Sequence, residues 1–176
     1  DYPVLKNIKN LADHKNTTPD NLTACILDRP RHKKIIEELK LLKVKLKLIS
    51  DGDVSGALLV TDDKYGVDIF LGIGGGPEGV LAASALDAYN CFFQGKLIFD
   101  NEKDKFRAKE MGIKDFEKKY ELNEIVSGDS IFCATGITSG DLVKGVTLNQ
   151  NSFTSETLIT HKSSDLKKIF KYVHNF

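Results

Sequence analysis

Apolar positions recur along this chain in two alternating periods. After Pro3, a favoured first-turn residue, Val4, Leu5, Ile8, Leu11 and Ala12 fall on one helical face. The Thr17-Thr18-Pro19-Asp20 cluster is a loop, and Thr23 to Leu27 is a short apolar run of strand type. Ile35, Ile36, Leu39 and Leu42 make the next helical stripe, and Val44 to Ile49 alternates with Lys45 and Lys47 as a strand does. A short helix over 53–61, a third strand from Val67 to Leu71, an Ala- and Leu-rich helix from Pro77 to Ala88 and a fourth strand from Cys91 to Phe99 follow.

Beyond that point the pattern changes. Asn101 to Lys119 is charged enough to be a mostly solvated helix. Ser130 to Ala134, Val143 to Leu148 and Ser155 to His161 then read as successive strands without helices between them. The opening β-α-β-α-β-α-β alternation predicts an α/β fold with a largely parallel sheet and helices on both faces. The later strands predict antiparallel additions at one side, making the sheet mixed. No internal repeat or low-complexity linker interrupts residues 1–176, so one domain is expected.

Composition narrows the partners. The 25 basic and 25 acidic side chains cancel, which argues against nucleic acid or a polybasic membrane surface. No run of about 18 apolar residues exists to span a bilayer, and the N-terminus lacks a signal-peptide layout. Cys25, Cys91 and Cys133 are odd in number and lie in apolar runs, as expected of buried, reduced thiols in a cytosolic protein. The chain opens on Asp1 rather than Met, so a processed or partial product is expected, with some of its chemistry outside these residues.

Ligands of open α/β sheets bind beyond the carboxyl ends of parallel strands, and three turns at such ends are polar or glycine-rich. In Asp28-Arg29-Pro30-Arg31-His32, Asp28 can cap a helix and Pro30 can open one. That leaves two of only three Arg unexplained, in a chain that uses Lys 22 times. A guanidinium grips phosphate or carboxylate through two parallel hydrogen bonds, which an ammonium cannot do. In Ser50-Asp51-Gly52-Asp53, two carboxylates can accept from sugar hydroxyls or bind a hard cation; helix capping accounts for them equally well. Residues 74–79 match G-x-G-x-x-G after a strand and before a helix, with Asp100 about 20 residues on. That pattern supports a non-catalytic dinucleotide-binding domain as the alternative function. Glu78 opposes it, because a carboxylate in the first helical turn repels a pyrophosphate; there it suits a metal or the helix dipole. His14, His32, His161 and His174 form no triad or zinc pattern and read as solvated or satisfied in the core. The Ala134–Asp141 loop could approach the same site.

Taken together, DRPRH, ISDGD, GIGGGPEGVLAA, ATGITSGDLVKGV and TSETL resemble the C-terminal half of class II fructose-1,6-bisphosphatases, in order and over essentially the whole chain. The resemblance implies the fold of the lithium-sensitive sugar-phosphatase superfamily. It also implies metal-dependent hydrolysis of fructose 1,6-bisphosphate in gluconeogenesis, and in some relatives of sedoheptulose 1,7-bisphosphate. Substrate contacts are implied for Arg29, Pro30, Arg31, Asp51, Gly52, Asp53 and Gly75, with Glu78 as a ligand of a divalent metal, Mn or Mg. Gly76 stands where the family commonly has a residue such as Ala. The other metal-binding carboxylates and the groups that assist attack on phosphorus belong to an N-terminal half absent from these residues. The chain alone is therefore expected to be inactive, and the complete cytoplasmic enzyme to be a homo-oligomer.

Overall fold

The computed structural model describes residues 3–176. Helix α1 (Val4–His14) buries Ile8 and Ala12, leaving Leu5 of the expected stripe exposed. Strand β1 (Thr23–Leu27) is buried over four of its five residues, as a strand covered on both faces must be. After a 3-10 turn at Pro30–His32 come α2 (Lys33–Leu41), β2 (Lys45–Ile49), α3 (Asp53–Leu58) and β3 (Ile69–Phe70). The three strands form one parallel sheet in the order β2-β1-β3, with Thr23 opposite Lys45 and Ala24 opposite Ile69.

Alternation along β1 assigns its two faces. Ala24 packs with Ile8, Ala12, Leu39 and Val44 of the α1–α2 layer, whereas Cys25 packs with Leu59 and Val67 on the other side. Helices thus cover both faces of this sheet, as the sequence pattern predicts. Burial pushes the Cys25 thiol up to about 11, so it stays protonated at neutral pH. All three cysteines are free thiols, and of them Cys133 is exposed.

Helix α4 (Gly76–Asp87) departs from an ordinary surface helix, because its apolar residues surround it rather than forming a stripe. One side meets α3, and another meets a second sheet. Ala57 and Leu58 of α3 and Ala82, Ala85 and Leu86 of α4 share a core with Phe132 and Leu158 of that sheet. The second sheet is antiparallel, built from β6 (Ile131–Thr135), β7 (Thr147–Leu148), β8 (Ser152–His161) and β9 (Leu166–Asn175), with β9 paired along the whole of β8.

The single mixed sheet expected from the sequence is therefore not what forms. The later strands make a separate sheet, on the far side of the α3–α4 layer from the parallel one. The expected fourth parallel strand contracts to β4 (Gln94–Lys96), which pairs antiparallel with β5 (Lys119–Glu121). Two causes are visible. Gly95 and Lys96 interrupt the apolar run from Cys91 to Phe99. In addition α4, held between α3 and the antiparallel sheet, delivers the chain away from β3. The charged stretch forms α5 (Glu102–Glu110), its N-terminal amides capped by Asn101, and α6 (Leu122–Ile125) follows β5. Strand β9 was not anticipated, because Lys167, Lys168 and Lys171 obscure its period-2 pattern. No described helix is long and apolar enough to cross a membrane.

Leu58 sits fully buried where α3 meets α4 and the second sheet. Leu58→Ala is expected to destabilise the chain by about 2–5 kcal/mol through lost burial and the cavity left behind. Urea denaturation measures this, and a loss below about 1 kcal/mol would show that the layers do not depend on that contact.

Candidate functional site

Three parallel strands end on the same side, so the loops that follow them meet there. The chain leaves β1 to form β2 on one flank, then crosses back to β3 on the other; this reversal opens a crevice above β1. Residues 28–32 form its middle wall, 50–53 one flank and 71–76 the other.

The loop after β1 is locked by a buried histidine. His32 has no exposed surface. Its Nδ1 lies 2.7 Å from Leu27 O, and Ile73 N–H donates to its Nε2 at 2.8 Å. Because Nε2 accepts, the ring proton sits on Nδ1 and is donated to the Leu27 carbonyl. Nε2 also lies 3.0 Å from Ile73 O, but that oxygen takes the Nε–H of Arg31 at 2.5 Å. Both backbone polar groups of Ile73 are thereby committed to the arginine loop. The bond from Arg31 spends Nε and leaves the four N–H bonds of its two Nη atoms for a ligand. Pro30 occupies the first position of the 3-10 turn as expected, while Arg29, not Asp28, holds the cap position.

The second loop is shaped by its own side chains. Gly52 adopts φ +82°, a left-handed conformation that disfavours a side chain. The Asp51 carboxylate accepts Gly52 N–H at 2.9 Å and remains exposed. Asp53 opens α3, where its charge suits the helix N-terminus, and accepts Val54 N–H at 2.9 Å. Its other oxygen reaches the third loop: a Cβ at Gly74 would lie 3.2 Å from Asp53 Oδ2. Glycine at 74 lets the two loops close on one another.

In the third loop Glu78 folds back over the start of α4, and a side chain at Gly75 would collide with its carboxylate. The place a dinucleotide pyrophosphate needs is thus occupied by negative charge, and the geometry does not favour that alternative. Glu78 is a hard oxygen donor of the kind that suits Mg or Mn. Among the described residues, however, no group of three or more His, Cys, Asp or Glu side chains could hold a metal ion.

Arg31 is tied to the third loop through Ile73 O, Asp53 comes close to Gly74 of that loop, and Gly75 and Glu78 belong to it. Arg29, Pro30, Asp51 and Gly52 belong to the same loops. The glycine-containing loop after β6 approaches from another direction: Asp141 pairs with Lys47 of β2 at 2.6 Å, and Glu156 accepts Lys144 N–H at 2.8 Å. Of the four histidines, His161 pairs with Asp129 and Ser164, and His174 stacks on Phe153. His32 is the residue that sequence reasoning undervalued. Its signal lay in the spacing of 32, 36 and 39, which extends the buried face of α2 back into the loop.

Comparison with known proteins bears on this arrangement. The family described as bacterial fructose-1,6-bisphosphatase, glpX-encoded, matches residues 1–174. A protein of Synechococcus sp. (strain JA-2-3B'a(2-13)) named D-fructose 1,6-bisphosphatase class 2/sedoheptulose 1,7-bisphosphatase is 36% identical, across 99% of this chain and 54% of its own length. A protein of the same name from Trichodesmium erythraeum (strain IMS101) is 34% identical, across 97% of this chain and 53% of its own length. The chain spans about half the length of the curated relatives it matches.

Replacing His32 by Leu keeps the bulk but takes the ring from the Leu27 carbonyl, which keeps Arg29 N–H as its donor, and leaves the Ile73 N–H without its partner. A loss of about 1–3 kcal/mol in urea denaturation is expected for losing these bonds and orphaning that N–H. Faster amide exchange at Ile73 should accompany it. Exchange at the wild-type rate would mean that the histidine does not hold the loop.

Proposed function

Since the chain belongs to the bacterial fructose-1,6-bisphosphatase family, we propose that it is the sugar-phosphate-binding half of a divalent-metal-dependent phosphatase. The reaction is hydrolysis of the 1-phosphate of fructose 1,6-bisphosphate, giving fructose 6-phosphate and inorganic phosphate in gluconeogenesis in the cytoplasm. The observation that supports this reading most strongly is that the loops carrying the arginines, the carboxylate pair and Glu78 follow parallel strands on one side of the sheet and are joined at Ile73 and Gly74.

Each group has a role its chemistry suits. Arg29 and Arg31 grip the phosphate that is not cleaved, with Arg31 held in position by Ile73 O and free at both Nη atoms. Asp51 and Asp53 accept hydrogen bonds from sugar hydroxyls, and Gly75 admits the ligand against the backbone. Pro30 and Gly52 set the shape of the two loops. The relatives are named for a heptulose bisphosphate as well. Both substrates are ketoses phosphorylated at each end, so one distal phosphate site serves either.

Glu78 is the ligand this chain offers to the metal. A divalent cation bound there supplies activation of water and neutralisation of charge on the reacting phosphate. One carboxylate cannot hold such an ion alone, so its remaining ligands come from the other half of the complete enzyme. The chain by itself orients the substrate and presents one metal ligand, without turnover.

Two measurements test these roles. Calorimetric titration of this chain with fructose 6-phosphate, which retains the distal phosphate, should give binding that NAD does not. Arg31→Lys should weaken it roughly tenfold, by losing both the bidentate grip and the anchor to Ile73. Equal affinity in the variant would remove Arg31 from the phosphate site. In the full-length enzyme Glu78→Gln should lower metal-dependent turnover by two orders of magnitude or about that, the scale of losing one electrostatic stabiliser. Metal-dependent phosphate release by the 176-residue chain alone would refute the division into halves.

A further inference from the structure

Helices α3 and α4 both start at the site loops. Residues just past their other ends, within 61–65 and at Tyr89, line a cavity of about 260 Å³. The rest of its lining comes from the antiparallel sheet, chiefly Leu158 of β8 and residues 167–169 of β9. The length of α4, about 1.5 Å for each of its 12 residues, separates this cavity from the crevice.

The free polar capacity of the cavity is one-sided. Lys64, Lys167 and Lys168 line it, with Asp62 the acid among its described lining residues. Both oxygens of that acid are taken: Oδ1 accepts Lys64 N–H at 3.0 Å, and Oδ2 pairs with Lys64 Nζ at 2.8 Å. Thr61 gives its hydroxyl proton to Leu58 O at 2.7 Å. Burial pushes the Tyr89 phenol above its ordinary value, so it stays protonated and able to donate. An ammonium has three N–H donors and accepts nothing, so one ion pair leaves Lys64 with donors to spare. Lys167 pairs with Asp165 at 2.6 Å, a carboxylate 86% exposed that water solvates readily. Lys168 holds its ammonium 5.1 Å from the Phe170 ring and adds charge at the rim. The remaining lining includes Leu142, Ile169 and Leu158, the last 2% exposed.

A cation beside the end of a helix suits the dipole, which accounts for Lys64. It does not account for Lys167, which a different layer brings to the same space. No arginine lines this cavity, so it offers point charges from two layers and no bidentate grip of the kind a phosphate selects.

We infer that this cavity is a second anion site, taking a small dicarboxylate or tricarboxylate whose carboxylates bridge Lys64 and Lys167 and whose carbon chain lies against Leu142, Leu158 and Ile169. The inference is independent of the sugar-phosphate reading of the crevice. A volume below the roughly 300–1,000 Å³ of pockets for drug-sized ligands restricts the occupant to such small acids. The ligand touches the α3–α4 layer and β9 together, so it binds the folded chain and stabilises it by mass action.

Citrate is the probe. Calorimetric titration of this chain at constant ionic strength should show one saturable site. The thermal midpoint should rise with citrate and not with acetate at matched ionic strength. Lys64→Ala combined with Lys167→Ala should weaken citrate binding about tenfold or more, the scale of losing two charge-assisted contacts. Fructose 6-phosphate affinity should stay unchanged in that variant. Citrate bound equally well by the double variant would overturn the site, and citrate displaced by fructose 6-phosphate would assign it to the crevice instead. Inorganic phosphate that binds as tightly as citrate, and is lost in the same variant, would overturn the carboxylate class. Acetate that raises the midpoint as far as citrate would reduce the effect to screening and overturn the site. Absence of saturable citrate binding in the millimolar range would also overturn it, while leaving the crevice reading to its own titration.

Discussion

The backbone of Ile73 is the point on which the joining of the site loops depends. Its N–H is taken by the buried ring of His32 and its carbonyl by the guanidinium of Arg31. These bonds join the loop after the central strand to the loop after an edge strand. Each contributes only about 0.5–1.5 kcal/mol net, and more where a charge takes part. Their greater consequence is exclusion of alternatives. Turning either peptide that flanks Ile73 would break one of these bonds, the N–H donor lying beside the fully buried imidazole. The arginine is thus presented by a rigid backbone rather than by the rotamer preferences of a long side chain. That lowers the entropy lost when a ligand is gripped.

The same economy of placement explains the layering. Helix α4 begins at the third loop with Glu78 and packs against both α3 and the antiparallel sheet, while Val80 and Leu81 of its apolar set stay exposed. Its small residues, Ala82, Ala83 and Ala85, let neighbouring elements approach its axis closely.

Local order was legible from sequence, and long-range pairing was not. Strand β1 falls where its apolar run lies, α1 starts beside Pro3, α2 holds all of its expected stripe but Leu42, and α4 lies within a residue of its predicted span, because periodicity and turn chemistry act over short distances. The separation into a parallel and an antiparallel sheet depended on which surfaces α4 would fill. No local pattern encodes that, so a single mixed sheet was expected. The three site loops were legible because glycine clusters, paired carboxylates and two arginines in a lysine-rich chain are compositional anomalies. His32 was not, since a buried histidine differs from a surface one only in its environment. Strand β9 was hidden by its lysines, which sit on a long edge strand and discourage pairing with other chains.

The glycine loop shows how far a motif can be trusted. Its spacing satisfies the dinucleotide fingerprint because the fingerprint encodes a backbone requirement, a tight turn and an open approach to a helix N-terminus. Any ligand that needs the same approach selects the same glycines. What distinguishes the chemistries is the charge placed at the helix start. A pyrophosphate site leaves that position to the amides and their dipole, whereas here Glu78 folds over Gly75 and Asp53 closes on Gly74. Two carboxylates brought to a helix start repel phosphate unless a cation lies between them and it. Positive charge for the ligand is held apart on the arginine loop. A neutral chain thereby carries its site cations on the loop after β1 and carboxylates on the loops after β2 and β3, a separation that accords with the proposed reading of a ligand phosphorylated at each end.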